Sequence, residues 1–190
     1  MVIGITGPTG SGKSTVSAYL VEKYGFFLID ADKVARAVTE KGTACIVELA
    51  SRFGQEYLNN DGSLNRKKLG TLVFSDKNAL EALNVVTHKY IVEEIKKAAM
   101  ENENSIIDAP LLFEAGLDEI CDRIILVTCN KEKRIERIMK RDCITLEEAL
   151  NRINSQNDYS EYLSRCHLEV LNDGTDLALQ LQEVESWQKN

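Results

Sequence analysis

Gly7-Pro8-Thr9-Gly10-Ser11-Gly12-Lys13-Ser14 carries a glycine, four intervening residues and then Gly-Lys-Ser. That spacing makes a phosphate-binding loop when a strand precedes it and a helix follows. Here Val2-Ile3-Gly4-Ile5-Thr6 reads as a buried strand, and Thr15 to Lys23 reads as a helix. The glycines let backbone N–H groups turn toward a polyphosphate, and the helix N-terminus adds partial positive charge at the same place. Gly10, Ser11, Gly12, Lys13, Ser14 and Thr15 are therefore the expected nucleotide-binding set, for a nucleoside triphosphate such as ATP. Lys13 would reach the β- and γ-phosphates, and the Ser14 hydroxyl would hold Mg2+.

Other residues of suitable type stand at the ends of apolar runs. Asp30-Ala31-Asp32 closes the second run, where one carboxylate could accept a proton from an attacking hydroxyl and the other cap the helix that follows. Asp108 closes Ile106-Ile107. It could orient Mg2+ through water, or could simply hold the loop at Pro110. Arg134, Arg137 and Arg141 recur at spacings of three and four and so share a helix face. On an acidic chain such a basic face suits anions, as part of a lid over nucleotide or as a solvated surface. His88 and His167 lie far apart with no ligand spacing, which favours packing or surface roles over metal.

These residues need a frame. Apolar, β-branched runs recur at Val2–Thr6, Phe26–Asp30, Ser105–Asp108, Arg123–Thr128 and Leu168–Leu171, with helical patterns between. Alternation of this kind predicts an α/β fold around a parallel sheet, whose ligands bind at the carboxyl ends of the strands. Both prolines, Pro8 and Pro110, follow strand runs at that end. The long stretch between the second and third runs exceeds one crossover and predicts a helical subdomain, with Ser75 as the N-cap of its last helix.

A length of 190 residues suits one domain, and 44% hydrophobic residues suffice for its core. The net charge of −7 argues against a nucleic-acid partner. Five cysteines without a C-x-x-C pair fit reduced thiols, and no leader or membrane-length apolar run is visible, so a cytoplasmic protein is expected. A GTPase is disfavoured because Lys133 stands where the guanine reader needs an aspartate. Motor-type or regulatory ATPases usually carry extra domains or long interaction arms, whereas these 190 residues read as short and compact. A small-molecule kinase accounts for the loop, the carboxylates, the helical insertion and the basic segment together. A nucleoside or nucleoside monophosphate kinase, or a nucleotide-binding module without chemistry, remains an alternative on the residues alone.

The residues also resemble the dephospho-CoA kinase family. The resemblance runs from Ile3 to about Gly174. It takes in the phosphate loop, Asp30-Ala31-Asp32, Phe53-Gly54, Asp61-Gly62-Ser63-Leu64-Asn65-Arg66 and Leu83-Asn84 with His88. It continues through Pro110-Leu111-Leu112-Phe113-Glu114, the Arg134/Arg137/Arg141 segment, Arg152-Ile153 with Gln156, and Asn172. The resemblance implies a three-layer P-loop NTPase sandwich: a five-stranded parallel sheet flanked by helices, with a helical CoA-binding insertion at about 55–102 and a lid at about 131–150. It implies ATP-dependent phosphorylation of the ribose 3′-hydroxyl of dephospho-CoA, with Mg2+ as cofactor, ATP as co-substrate and no obligate protein partner. Asp32 would then be the base, with Lys13 and Arg141 on the transferring phosphoryl group. Arg137 and Asn172 would lie at ATP, and Arg66, His88, Pro110, Leu111 and Glu114 at the acceptor. The sequence departs from the family pattern at Pro8-Thr9, at Lys89 where a proline is usual, and at Cys166-His167 where Ala-Asp is usual.

Overall fold

Each of the five apolar runs is a strand in the computed structural model, which describes residues 1–156 and 159–189. They are β1 (Val2–Thr6), β2 (Phe27–Asp30), β3 (Ser105–Asp108), β4 (Arg123–Thr128) and β5 (Leu168–Leu171). They form one sheet in the order β2-β3-β1-β4-β5. β1 pairs in parallel with both β3 and β4, and β4 with β5. β2 and β3 lie on one side of β1 and β4 and β5 on the other, so the loop after β1 lies at the point where strand order reverses.

Helices follow the strands: α1 (Lys13–Tyr24), α2 (Ala31–Val38), α3 (Ala44–Phe53), α4 (Arg66–Ser75) and α5 (Lys77–Glu101). After β4 come α6 (Lys131–Asp142) and α7 (Leu146–Asn154), and after β5 come α8 (Leu177–Gln180) and α9 (Gln182–Gln188). Successive strand residues face opposite sides, so Ile3 and Ile5 share one face. They are fully buried there with Ile125, Val127, Val170, Val16 and Leu20 of α1, and Val184 of α9.

By internal contacts the chain divides into two compact units, residues 1–29 with 101–190, and residues 30–100. The first holds the sheet core. The second is helical and has its own apolar centre, formed by Val38, Cys45, Ile46, Leu49 and Val86. Its last helix, α5, runs unbroken through His88-Lys89, because Lys89 keeps the amide that a proline would lack.

One expectation fails here. Ser75 is not the N-cap of α5; it ends α4, and its hydroxyl donates back to the carbonyls of Thr71 and Leu72. Asp76 caps α5 instead, its Oδ1 accepting from the amides of Asn78 and Ala79 at 2.8 and 3.2 Å. A carboxylate has more acceptor capacity than a hydroxyl, and a hydroxyl inside a helix end turns back on the preceding turn.

His167 also has a defined task. The amide of Asp122, just before β4, donates to Val2 O, and its carboxylate accepts from Val2 N at 2.7 Å. The same device recurs before β5. The His167 amide donates to Ile124 O, and its Nδ1 accepts from Ile124 N at 3.0 Å. An imidazole with its proton on Nε2 thus does what a carboxylate does at the neighbouring strand. Replacing His167 by Leu should orphan the Ile124 amide and cost about 1 kcal/mol. Calorimetry should show a melting point lower by about 2–4 °C, with His167→Asp restoring it. A His167→Leu protein as stable as its parent would show that this bond contributes nothing.

Candidate active site

The loop between β1 and α1 is shaped by its carbonyls as much as by its amides. Gly7 has φ +145°, and a Cβ there would stand 2.2 Å from the backbone oxygen of Val127. Gly12 has φ +88°, and a Cβ there would stand 2.1 Å from Nδ2 of Asn172. Only glycine tolerates both the conformation and the approach. Pro8 fits because its carbonyl, not an amide, is used: it accepts from Ser11 N at 3.2 Å. The Thr9 amide donates to Gln156 Oε1 at 2.9 Å.

α1 begins at Gly12 with no side-chain cap and no acidic residue in its first turn. By contrast, Thr43, Asn65 and Thr145 each cap their own helices, α3, α4 and α7. The first amides of a helix have no partner within it and attract anions. Ser11 Oγ is the buried side-chain atom that lacks a hydrogen-bond partner among the described residues, and it too belongs to this loop.

Lys13 Nζ donates to Gly7 O at 2.8 Å, so its ammonium is folded back along the loop. Ser14 is exposed on the first turn of α1. One turn on, Ser17 Oγ donates to Asp108 Oδ2 at 2.9 Å. Residues three apart lie on one helix face, so Ser14 and the Asp108 carboxylate occupy the same side of α1. A hydroxyl and a carboxylate are hard oxygen ligands, which fits Mg2+.

The three arginines of α6 divide. Arg134 Nε donates to Thr9 O at 2.9 Å, and its NH2 to Gln156 Oε1 at 3.3 Å. Arg137 NH1 donates to the carbonyls of Gly10 and Ser11, and its NH2 to Asn172 O. Partial burial pulls the Arg134 pKa below the usual guanidinium value. Arg141 instead forms a two-pronged pair with Asp142, at 2.7 and 2.9 Å, and Arg152 binds the same carboxylate. These hydrogen bonds, from Arg141 above all, hold the Asp142 carboxyl below its ordinary pKa.

After β3, the Pro110 carbonyl accepts from Thr6 Oγ1 and from the Tyr159 hydroxyl. Burial pushes the Tyr159 phenol up to about 12, so it remains a donor. Leu111 is half exposed. Glu114 accepts from the Tyr162 hydroxyl at 3.0 Å, and the Tyr162 ring stacks on Phe113.

In the helical unit, Asp30 is the N-cap of α2, its Oδ1 accepting from Lys33 N at 3.0 Å. The exposed Asp32 carboxylate has no hydrogen-bond partner among the described residues. Arg66, at the start of α4, donates to Thr39 Oγ1 at 2.8 Å. His88 lines an open groove on α5 with Asn84 and Val85.

The structure thus gathers Lys13, Ser14, Asp108, Arg137 and Asn172 around one loop. Asp32, Arg66 and His88 lie in the helical unit. Two polar partners escaped the sequence reading as hydrogen-bonding groups. Gln156 fastens the loop amide at Thr9, and Tyr159 fastens Pro110. Nothing in local spacing marks either, since their partners are more than forty residues away in sequence.

A parallel sheet with a glycine-rich loop feeding an uncapped helix defines a protein of the P-loop nucleotide-binding class. Within that class, the family model for dephospho-CoA kinase matches residues 1–177. The chain belongs to the dephospho-CoA kinase family. It is 42% identical to dephospho-CoA kinase of Listeria innocua over 176 residues, which is 90% of this chain and 88% of that protein. Among solved structures, TT1252 from Thermus thermophilus superposes with a TM-score of 0.80 at 34% identity, covering 98% of this chain and 97% of that one. Dephospho-CoA kinase from Campylobacter jejuni follows at 0.67 and 28%, covering 99% and 96%. No helix among the described residues is long and apolar enough to cross a membrane.

Proposed function

We propose that this chain transfers the γ-phosphoryl group of ATP to the ribose 3′-hydroxyl of dephospho-CoA, giving coenzyme A and ADP. The observation that carries this reading is the family match, which spans the phosphate loop, the helical unit and the basic α6–α7 segment together. Residues of about 55–102 would form the acceptor-binding insertion, with Arg66 and His88 at the acceptor, and about 131–150 the lid. The loop Pro110–Glu114 would supply further acceptor contacts through Pro110, Leu111 and Glu114. Free thiols at all five cysteines suit a cytoplasmic setting.

The chemistry follows from charge. The loop amides and Lys13 bind the β- and γ-phosphates and offset charge as the phosphoryl group leaves. Ser14, with Asp108 through water, would hold Mg2+, which would supply charge neutralisation at the phosphates. Asp32 takes the proton of the 3′-hydroxyl as that oxygen attacks. Asp30 is occupied as a helix cap, which leaves Asp32 as the carboxylate of the pair available for this step. Arg141 would exchange Asp142 for the transferring phosphoryl group. Its replacement by alanine should then lower kcat about ten- to hundredfold, with a smaller effect on ATP affinity. An equal loss in both would make it a ground-state ligand only.

The acceptor is tested by measuring ADP release with ATP and Mg2+, offering dephospho-CoA, AMP, CMP, UMP and uridine in turn. Strong preference for dephospho-CoA is expected. Turnover with a nucleotide or nucleoside alone would replace the substrate while keeping the phosphate site.

A further inference from the structure

Four successive carbonyls of the phosphate loop are each bound by a side chain from elsewhere in the fold. Thr9 O accepts from Arg134 Nε at 2.9 Å. Gly10 O accepts from Arg137 NH1 at 3.3 Å, and Ser11 O from the same nitrogen at 3.1 Å. Asn172 Nδ2 donates to Ser11 O at 2.9 Å and to Gly12 O at 3.3 Å. Arg137 and Asn172 are also tied to each other, the guanidinium NH2 reaching Asn172 O at 3.0 Å. Asn172 is 7% exposed, and the Gly12 backbone is packed against it so closely that a Cβ would collide.

A trans peptide places its C=O and its N–H on opposite sides of the chain. The carbonyl of each residue therefore fixes the direction of the next amide. Holding the oxygens of Thr9, Gly10, Ser11 and Gly12 on one side turns the amides of Gly10, Ser11, Gly12 and Lys13 to the other. Of these, the Ser11 amide is used within the loop, donating to Pro8 O. The amides of Gly10 and Gly12 thereby face the side on which a phosphate would lie.

We infer that Arg137 and Asn172 are positioning residues that set the phosphate-binding amides by gripping the carbonyl side of the loop, and that neither recognises the adenine base. The inference rests on reading the loop as a triphosphate cradle. It departs from the expectation that these two side chains touch ATP directly. An arginine suits the task because its planar group fixes the directions of its donors, NH1 meeting Gly10 O and Ser11 O while NH2 meets Asn172 O, whereas a lysine ammonium is a point charge on a flexible stem. Pre-set amides bind phosphate without reorganising, so the benefit appears in any ligand with a polyphosphate, whatever its base.

The base-free probe is inorganic tripolyphosphate with Mg2+, titrated calorimetrically into the full chain beside ATP and GTP. For Asn172→Ala, affinity for tripolyphosphate and for ATP should fall by the same factor, about fivefold to tenfold for one or two lost hydrogen bonds. The ratio of ATP to GTP affinity should not move. Arg137→Lys, which keeps the charge and the helix, should behave alike and serves if Asn172→Ala folds poorly. Unchanged tripolyphosphate affinity with a collapsed ATP-to-GTP ratio would overturn the inference and make these residues base ligands. A lower melting point with all three affinities unchanged would overturn it in favour of a purely structural role. Failure of the unsubstituted chain to bind tripolyphosphate, while binding ATP, would overturn the cradle reading itself, and the inference with it.

Discussion

Replacing Asp32 by asparagine should abolish nearly all turnover while leaving ATP binding intact. The side chain keeps its size and can still form hydrogen bonds, but it can no longer accept the hydroxyl proton. General-base catalysis contributes about 10²–10⁴-fold, and a loss in kcat of that order is expected. Several features make the prediction specific to Asp32. Its exposed carboxylate is unpartnered among the described residues, whereas Asp30 is bonded to the Lys33 amide and lies 3.5 Å from the Lys33 ammonium. Asp30→Asn should therefore act mainly on stability, because asparagine caps helices about as well as aspartate. Measuring kcat and the ATP dissociation constant for both variants separates the roles. Near-normal turnover in Asp32→Asn would remove it as the base.

The second large effect is expected at Lys13. Methionine there preserves length and removes the ammonium. Losing one preorganised group that stabilises developing charge typically lowers kcat about 10²–10³-fold. The same substitution also removes the bond to Gly7 O, which for a charged donor is worth about 1.5–3 kcal/mol. A modest fall in stability should therefore accompany a steep fall in turnover. A pattern with a large drop in melting temperature and modest kinetic loss would mean that Lys13 serves the fold more than the chemistry.

Much of this frame was legible from local patterns. Strands buried on both faces need continuous apolar runs, as β1, β3 and β4 have, and the runs at the two sheet edges, β2 and β5, are strands as well. The loop announced itself because close backbone approach at Gly7 and Gly12 excludes any other residue. The helical unit was legible because residues 31–104 are too many for one crossover.

What escaped the sequence was decided by distant partners. Ser75 and Asp76 are both good caps side by side, and geometry alone selected Asp76. His167 gave no signal because its partner, Ile124, is 43 residues away. Asn172 lies 161 residues from Ser11, so its grip on the loop is invisible until β5 is placed in the sheet. The shared face of Arg134, Arg137 and Arg141 was readable, but their division was not. Two of them meet loop carbonyls, and the third meets an aspartate at the end of its own helix. The segment after β5 also packs on the sheet core, where Leu181 and Val184 are fully buried.

The transfer to the 3′-hydroxyl is read most directly by phosphorus NMR of the product formed from ATP and dephospho-CoA. One new phosphate monoester coupled to the ribose 3′-proton, formed in equal amount with ADP, is expected. A phosphate coupled to the 2′-proton, or ADP released with no new monoester on the acceptor, would contradict it.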